Sequence, residues 1–531
     1  MGVLGNLDPL GQAPVSGPRA LSVGDESTVS ADARRRQALW QISVFVLLSI
    51  YAAIVIALAS RHVFWRDEVR QFTFAIDNPF PQLLLKLRFE GHPALWFLIL
   101  KLGWSLFHSV LVLPITSILI AAGATYLFLV KAPFPRWQKV LFPFGVLPVY
   151  EYSVMCRNYG ISMLLLFAAC YLYKDRLTHP FRYGLALILL ANTNVHALAI
   201  AVGFIAGLAL DIVLQLRTRR GGLAPVVASL VLVCIGALAS YLSMRPDNTV
   251  TYTQLTSLRL ADLPHAVLTV VRAPGTILSV NHSRLARLVI FAFGVLFFRH
   301  KQVFIIFLVA TLGASAIVNL AYPAELRHKG VYICFLIALF WIDHIHNTTE
   351  PKKGFWPVDT ARAVALPLML ACMIPFAAQR IFENFDRPGS SAKALGELVR
   401  ANPALKDAIL IGEPDYYVET VAYYLPNDIY IPGEERYGRR VLFTTASRQR
   451  YSLGDVLATA GRLEAQTGRP VILAIGHPLN PEGPFEIPVG YKRVFEYSPK
   501  SLHELAARTT KLAVFDQALG DENYAVYLVN R

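Results

Sequence analysis

Arg66, Asp67, Glu68 and Arg70 crowd into one short polar segment, Phe64-Trp65-Arg66-Asp67-Glu68-Val69-Arg70, just after the first long apolar stretch. Charges this close to hydrocarbon are costly, and where they persist they mark a site. A carboxylate at the outer end of a membrane helix can deprotonate a hydroxyl as general base, its pKa set by its neighbours. Asp67 is the candidate for that role, with Glu68 beside it. Further along stand Glu90-Gly91-His92-Pro93, then Arg157 between two apolar runs, then Arg327-His328 at the head of a late one. Guanidinium groups hold phosphate through paired N–H donors. The bases are dispersed among apolar helices, so nucleic acid is a poor explanation for them.

Helices must position these groups. The 531 residues are 55% hydrophobic and only 16% charged, the balance of a polytopic membrane protein. Apolar runs recur between residues 40 and 378, and a span needs about 20 residues or somewhat fewer inside a bundle. Basic connections at Arg34–Arg36, 131–139, 174–182, 217–220, 299–301 and 352–353 are expected on the inner side. Segments 60–91, 150–158, 194–196, 244–285 and 321–329 then face out. Parity makes 93–107 an interfacial or partly inserted helix and yields about 11 crossings, within a range of about 10–13. The net charge of +14 follows largely from those inner loops.

Three regions result. Residues 1–38, rich in Gly, Pro and Ser, read as a disordered cytoplasmic tail with no cleaved signal peptide. Residues 39–380 form the transmembrane domain, whose outer loop 60–91 carries the acid pair. Residues 381–531 read as an extracytoplasmic α/β domain, with strands expected at 408–412, 441–444, 470–475, 493–497, 512–515 and 524–529 and helices at 391–401 and 453–467. No GxGxxG, P-loop or GxSxG motif occurs there, so a nucleotide or hydrolase site has no support. Gly412-Glu413-Pro414-Asp415-Tyr416-Tyr417 reads as a polar turn after a strand. The five cysteines all lie in or beside apolar runs and read as small core residues.

Taken in order, Trp65-Arg66-Asp67-Glu68, Phe89-Glu90-Gly91-His92-Pro93-Ala94-Leu95-Trp96 and Tyr152-Ser153-Val154-Met155-Cys156-Arg157-Asn158-Tyr159-Gly160 resemble the GT-C superfamily of membrane glycosyltransferases. The likeness is to the bacterial branch related to protein O-mannosyltransferases and the aminoarabinose transferase. It covers about residues 40–345 and is strongest over 64–160. The second signature departs from the related pattern, which commonly carries a second proline and a tyrosine. The resemblance implies a GT-C-like bundle whose donor is a sugar on a polyprenyl phosphate. It implies Asp67 and Glu68 as the catalytic acids, and Arg66, His92, Tyr152, Arg157, Arg327 and His328 as donor- or phosphate-binding groups. The acceptor would be a hydroxyl of a glycan, lipid or protein, attacked with inversion on the outer face of the inner membrane.

No sugar nucleotide or other cofactor is required by that chemistry. Asp67 and Glu68 are hard oxygen ligands that leave a divalent cation open, but two acids do not define a metal site. His196, in Asn192-Thr193-Asn194-Val195-His196, reads as part of a polar outer turn. The alternative reading is a transporter or flippase of envelope precursors, which predicts inverted repeats and polar breaks near mid-membrane. The chain has no internal repeat, and its charges gather at the outer edge. A scaffold presenting the C-terminal domain would leave Arg157 and Arg327 without reason to share a face with Asp67.

Overall fold

Prolines and charged side chains decide where the helices of this chain stop, and so where its loops meet. The computed structural model describes residues 23–217, 222–246, 249–251, 263–278, 284–349 and 356–530. The helices of its N-terminal part are α1 (Val23–Arg61), α2 (Arg66–Asp77), α3 (Phe80–Lys86), α4 (Ala94–Phe107), α5 (Val112–Lys131), α6 (Arg136–Leu141), α7 (Tyr159–Leu172) and α8 (Pro180–Ala191). They continue as α9 (Val195–Arg217), α10 (Ala224–Met244), α11 (Leu263–Arg272), α12 (Arg284–Phe297), α13 (Lys301–Ala316), α14 (Leu326–Thr349) and α15 (Trp356–Asp386). Seven of the described helices are long and apolar enough to cross a membrane: α1, α5, α9, α10, α13, α14 and α15. Helical segments occupy each of the eleven expected crossings. The one expected at 139–155 is broken, because Pro143 and Pro148 each remove a helical N–H donor. It runs as α6, a 3-10 turn at Phe142–Phe144 and a π-helical turn at Leu147–Glu151.

The tail expected to be irregular to residue 38 is helical from Val23 onward, since α1 continues without a break through Arg34–Arg36; residues 1–22 lie outside the described residues. At the centre, α14 is the most enclosed of the long helices, 78% buried against 22% for α1 and α15 at the rim. The core around it stacks Phe128 on Phe142 and brings Phe167 and Trp341 against them. Close approach of α9 to α13 depends on a GxxxG pair. A Cβ on Gly203 would lie 2.7 Å from the Ile306 carbonyl oxygen, and one on Gly207 2.6 Å from the Ile306 side chain. Cys156, Cys170 and Cys334 are buried as expected, whereas Cys234 and Cys372 face outward from α10 and α15.

The C-terminal domain is α/β. Its strands are β1 (Ile409–Glu413), β2 (Ile429–Ile431), β3 (Arg436–Tyr437), β4 (Arg450–Ser452), β5 (Val471–Ile475), β6 (Glu486–Gly490), β7 (Arg493–Glu496), β8 (Thr509–Phe515) and β9 (Tyr524–Val529). Its helices are α16 (Ala392–Ala401), α17 (Val421–Tyr424), α18 (Leu453–Thr467) and α19 (Pro499–Arg508). A six-stranded sheet runs β3-β2-β1-β5-β9-β8, with β1 parallel to both neighbours, and a three-stranded sheet runs β4-β7-β6. Strands β1 and β5 are buried on both faces, between a core that includes α18 and another that includes α16. Residues 441–444, expected as a strand, instead pair with the 249–251 segment that follows α10. Thr251 N–H donates to the Phe443 carbonyl at 2.8 Å and Thr445 N–H to the Thr249 carbonyl at 2.7 Å.

Both ends of the bundle are polar, in different ways. At one end the basic loops pair locally, Arg176 with Asp211 at 2.6 Å and Arg362 with Asp343 at 3.2 Å. Arg136 reaches the Arg36 carbonyl at 3.1 Å at this same end. At the other end, segments 62–68, 152–158, 192–196 and 322–328 converge beneath the C-terminal domain.

Candidate active site

Helix α2 begins at the point where α1 has left the apolar layer. Asp67 and Glu68 fall in its first turn, where the helix N-terminus favours negative charge. The two acids have different fates. Glu68 turns inward and is fully buried. Its Oε2 accepts from the Trp65 N–H at 2.9 Å, half of a capping box, and its Oε1 accepts from the Cys156 N–H at 2.7 Å. His62 Nε2 lies 3.0 and 3.1 Å from the two oxygens. Burial disfavours the charged His62 ring, but the Glu68 carboxylate outweighs it and raises the imidazole above its ordinary value. Glu68 thus clamps α2 to the 152–158 turn. Both oxygens of this acid, expected beside Asp67 as a catalytic group, are engaged by protein partners.

Asp67 turns outward. Its Oδ2 is 2.5 Å from Arg157 Nη1 and 3.4 Å from Arg327 Nη2. Burial would push its carboxyl up, yet Arg157, Arg327 and Arg66 more than reverse this and hold it well below the usual carboxylate range. Arg157 is 6% exposed and Asp67 27%, so the pair sits at a boundary, with the cation the more deeply buried. Asn158 fixes the segment behind Arg157 by donating to the Thr193 carbonyl at 3.0 Å.

Arg327 arrives on the first turn of α14. Its carbonyl accepts from Tyr152 Oη at 2.8 Å, and its guanidinium lies over the Trp65 ring at 5.2 Å. Tyr152, expected at the substrate, is buried and stacked beside Tyr159. Gly330 permits that contact. A Cβ there would lie 2.5 Å from both Tyr152 Oη and Leu147 Cδ2.

The histidines complete the group. His92 is held down to about 3 by burial, with Arg157 adding to it, and is a neutral ring. His328 stacks on His196 at 4.8 Å and accepts from the Glu325 N–H at 3.1 Å. His196 bonds Tyr322 Oη at 3.1 Å. His196 and Tyr159 are the members that sequence reasoning passed over as site residues. The polar Asn192–Asn194 turn ahead of an apolar helix was the available signal for His196.

Arg66 does not join them. It forms a two-pronged pair with Asp521, at 2.5 and 2.8 Å, and its N–H donates to Glu522 at 2.9 Å. The guanidinium expected to bind phosphate is thus paired with Asp521 and Glu522 of the C-terminal domain, while its charge still acts on Asp67. Glu90 is similarly used, binding Arg70 at 3.0 and 3.1 Å and Arg440 at 3.0 Å. Arg70 in turn reaches Glu419 at 3.0 Å.

Polar atoms without a protein partner gather around Asp67. Arg157 Nε, Arg327 Nε, His92 Nδ1, Tyr159 Oη and Asn158 Oδ1 are all buried and unbonded. Buried polar groups are nearly always paired, so these atoms call for a partner, ordered water or a ligand. Among the described residues no group of three or more His, Cys, Asp or Glu is placed to hold a metal ion. Asp67 and Glu68 cannot form a two-carboxylate clamp, because their side chains point to separate partners.

No family model matches the chain, and no curated protein matches it. Among solved structures it is similar to ArnT from Cupriavidus metallidurans in the apo state, at 12% identity and a TM-score of 0.37, covering 94% of this chain and 98% of that one. The same protein bound to undecaprenyl phosphate aligns at 10% identity and a TM-score of 0.37, over 93% of this chain and 98% of that one.

Proposed function

We propose that this chain is a GT-C-type membrane glycosyltransferase, moving a sugar from a polyprenyl-phosphate donor to an acceptor hydroxyl on the outer face of the inner membrane. The observation that carries the reading is a single ionised carboxylate, Asp67, bridged by two arginines that keep unused donors beside it. A phosphate needs those cations, and a hydroxyl nucleophile needs that carboxylate.

The two demands are coupled. With its arginines engaged, Asp67 is too weakly basic to take a proton. When the donor phosphate takes Arg157 and Arg327, their charge is drawn from Asp67, and its pKa returns toward the ordinary carboxylate range. The base is thus activated by donor binding. The acceptor oxygen then attacks the anomeric carbon, and its proton passes to Asp67. The bond from that carbon to the phosphate oxygen breaks with inversion. Arg157 and Arg327 stabilise the charge that grows on the departing polyprenyl phosphate. Neutral His92 is suited to hydrogen-bond the sugar or phosphate without competing for charge.

The test is to incubate purified protein with a polyprenyl-phosphate sugar, labelled in the sugar, and cell-envelope extract. Label should move to an acceptor as free polyprenyl phosphate appears. Label that stays on the lipid, and crosses the bilayer intact in proteoliposomes, would overturn the reading in favour of a transporter.

A further inference from the structure

A second basic feature lies at the other end of α2, away from Asp67. A cavity of about 410 Å³ opens between the end of α2, the 86–90 turn and the 436–442 loop of the C-terminal domain. That volume falls in the range of about 300–1,000 Å³ typical of small-ligand sites. Its charged lining is Asp77, Lys86, Glu90, Arg436, Arg439 and Arg440.

The pairing of these groups leaves positive charge over. Arg436 is neutralised by Glu434, outside the cavity. Glu90 is shared between Arg440 and Arg70. Arg439, half exposed, has Asp77 as its one carboxylate partner among the described residues, at 3.6 Å. Lys86 has no carboxylate among the described residues, and its ammonium donates to the neutral Asn78 Oδ1 at 2.9 Å. Arg440 also keeps a buried Nε without a partner. With Arg70 also held by Glu419, Lys86, Arg439 and Arg440 face the cavity against two carboxylates, Asp77 and Glu90, which leaves one positive charge over and donors to spare.

We propose that this cavity binds the phosphate of a ligand headgroup, through Lys86, Arg439 and Arg440. Guanidinium forks and an ammonium point charge are the donors that phosphate takes most readily. The position favours a ligand held at the membrane surface, for Phe80, Leu84 and Leu85 on the adjoining α3 are exposed apolar side chains. Asp77 and Asp67 are ten residues apart on α2, about 15 Å at the helical rise. A phosphate anchored here would let the glycan it carries reach Asp67. That acceptor-anchoring role rests on the transferase reading; the phosphate site itself does not.

The test measures binding directly, so it stands whether or not transfer is observed. Full-length protein in neutral detergent is offered phosphatidylglycerol in native mass spectrometry, with phosphatidylcholine as control. In parallel, glucose 1-phosphate is titrated by calorimetry, with glucose as control. Both arms are repeated on Arg439→Gln and on Lys86→Met/Arg439→Gln, after matching melting temperatures. Retention of the lipid alone, of the sugar phosphate alone, or of both supports the site and identifies the source of the phosphate. Arg439→Gln should weaken that binding about tenfold, the loss of one charge-assisted contact, and the double variant about a hundredfold; salt should weaken it in wild type. Absence of binding in both wild-type arms, or binding that the double variant keeps, would overturn the proposal.

Discussion

Replacing Arg157 by Gln tests the coupling between the cation pair and the base. Arg157 Nη1 is 2.5 Å from Asp67 Oδ2 and the arginine is 6% exposed, so little water screens the pair. At an effective dielectric of about 20, two charges ~4 Å apart attract by about 4 kcal/mol. Two effects follow. The departing phosphate loses a fixed donor, which costs ~10²–10³ in kcat, or about 3–4 kcal/mol. Asp67 loses its closest cation, so its pKa in the free enzyme rises toward the ordinary carboxylate range. The sign is fixed: with the cation gone the carboxylate holds its proton more tightly, and the acid limb of kcat/KM moves to higher pH. That limb reports free-enzyme pKa values, so it is the readout to follow. Arg157→Lys keeps the charge but not the fork. It should return most of the limb and only part of kcat. A folded Arg157→Gln enzyme with wild-type kcat and an unmoved acid limb would refute the coupling.

Other substitutions probe the supports of the site. Gly330→Ala places a Cβ against Tyr152 and Leu147, so α14 must shift; a stability loss of about 1–3 kcal/mol and a fall in kcat are expected in melting and turnover assays. Glu68→Ala leaves His62 and two N–H groups unpaired and should destabilise by roughly 3–5 kcal/mol, seen as a lowered Tm rather than a specific catalytic defect. Glu419, fully enclosed beside Arg70, is pushed up to about 7 by burial, so the folded state holds a proton that the unfolded state has released. The contribution of Glu419 to stability is therefore fully present at acid pH and falls by roughly 3 kcal/mol as pH rises from the ordinary glutamate range through about 7. Glu419→Gln should flatten this part of the pH dependence of Tm. Glu522, pushed up to about 8, leaves a residual slope of the same sign.

Asp67, Arg157 and Arg327 were legible in the sequence because each is an ion next to a long apolar run, where charge persists only for a reason. Their convergence followed from placing three loops on one face. Arg66 and Glu68 look as chemically capable as Asp67 in one dimension. What separates them is three-dimensional: Arg66 meets Asp521, 455 residues away, and Glu68 meets the backbone of Cys156. The partner of Tyr152, a carbonyl on α14, is equally hidden in the sequence. In the C-terminal domain the long buried strands β1, β5 and β9 and the helices α16 and α18 were readable from apolar runs and periodicity. Short strands such as β2 and β3 were not, because two or three residues carry too little pattern, and 441–444 had strand composition but a loop's contacts.

The most direct measurement compares wild type with Asp67→Asn, following release of free polyprenyl phosphate and, separately, binding of the donor lipid. Asn keeps the shape but cannot take the acceptor proton. It also leaves Arg157 and Arg327 wholly to the phosphate. The account predicts donor binding at least as tight as wild type and turnover lower by ~10²–10⁴, the contribution of a general base. Equal turnover by the two proteins would contradict it.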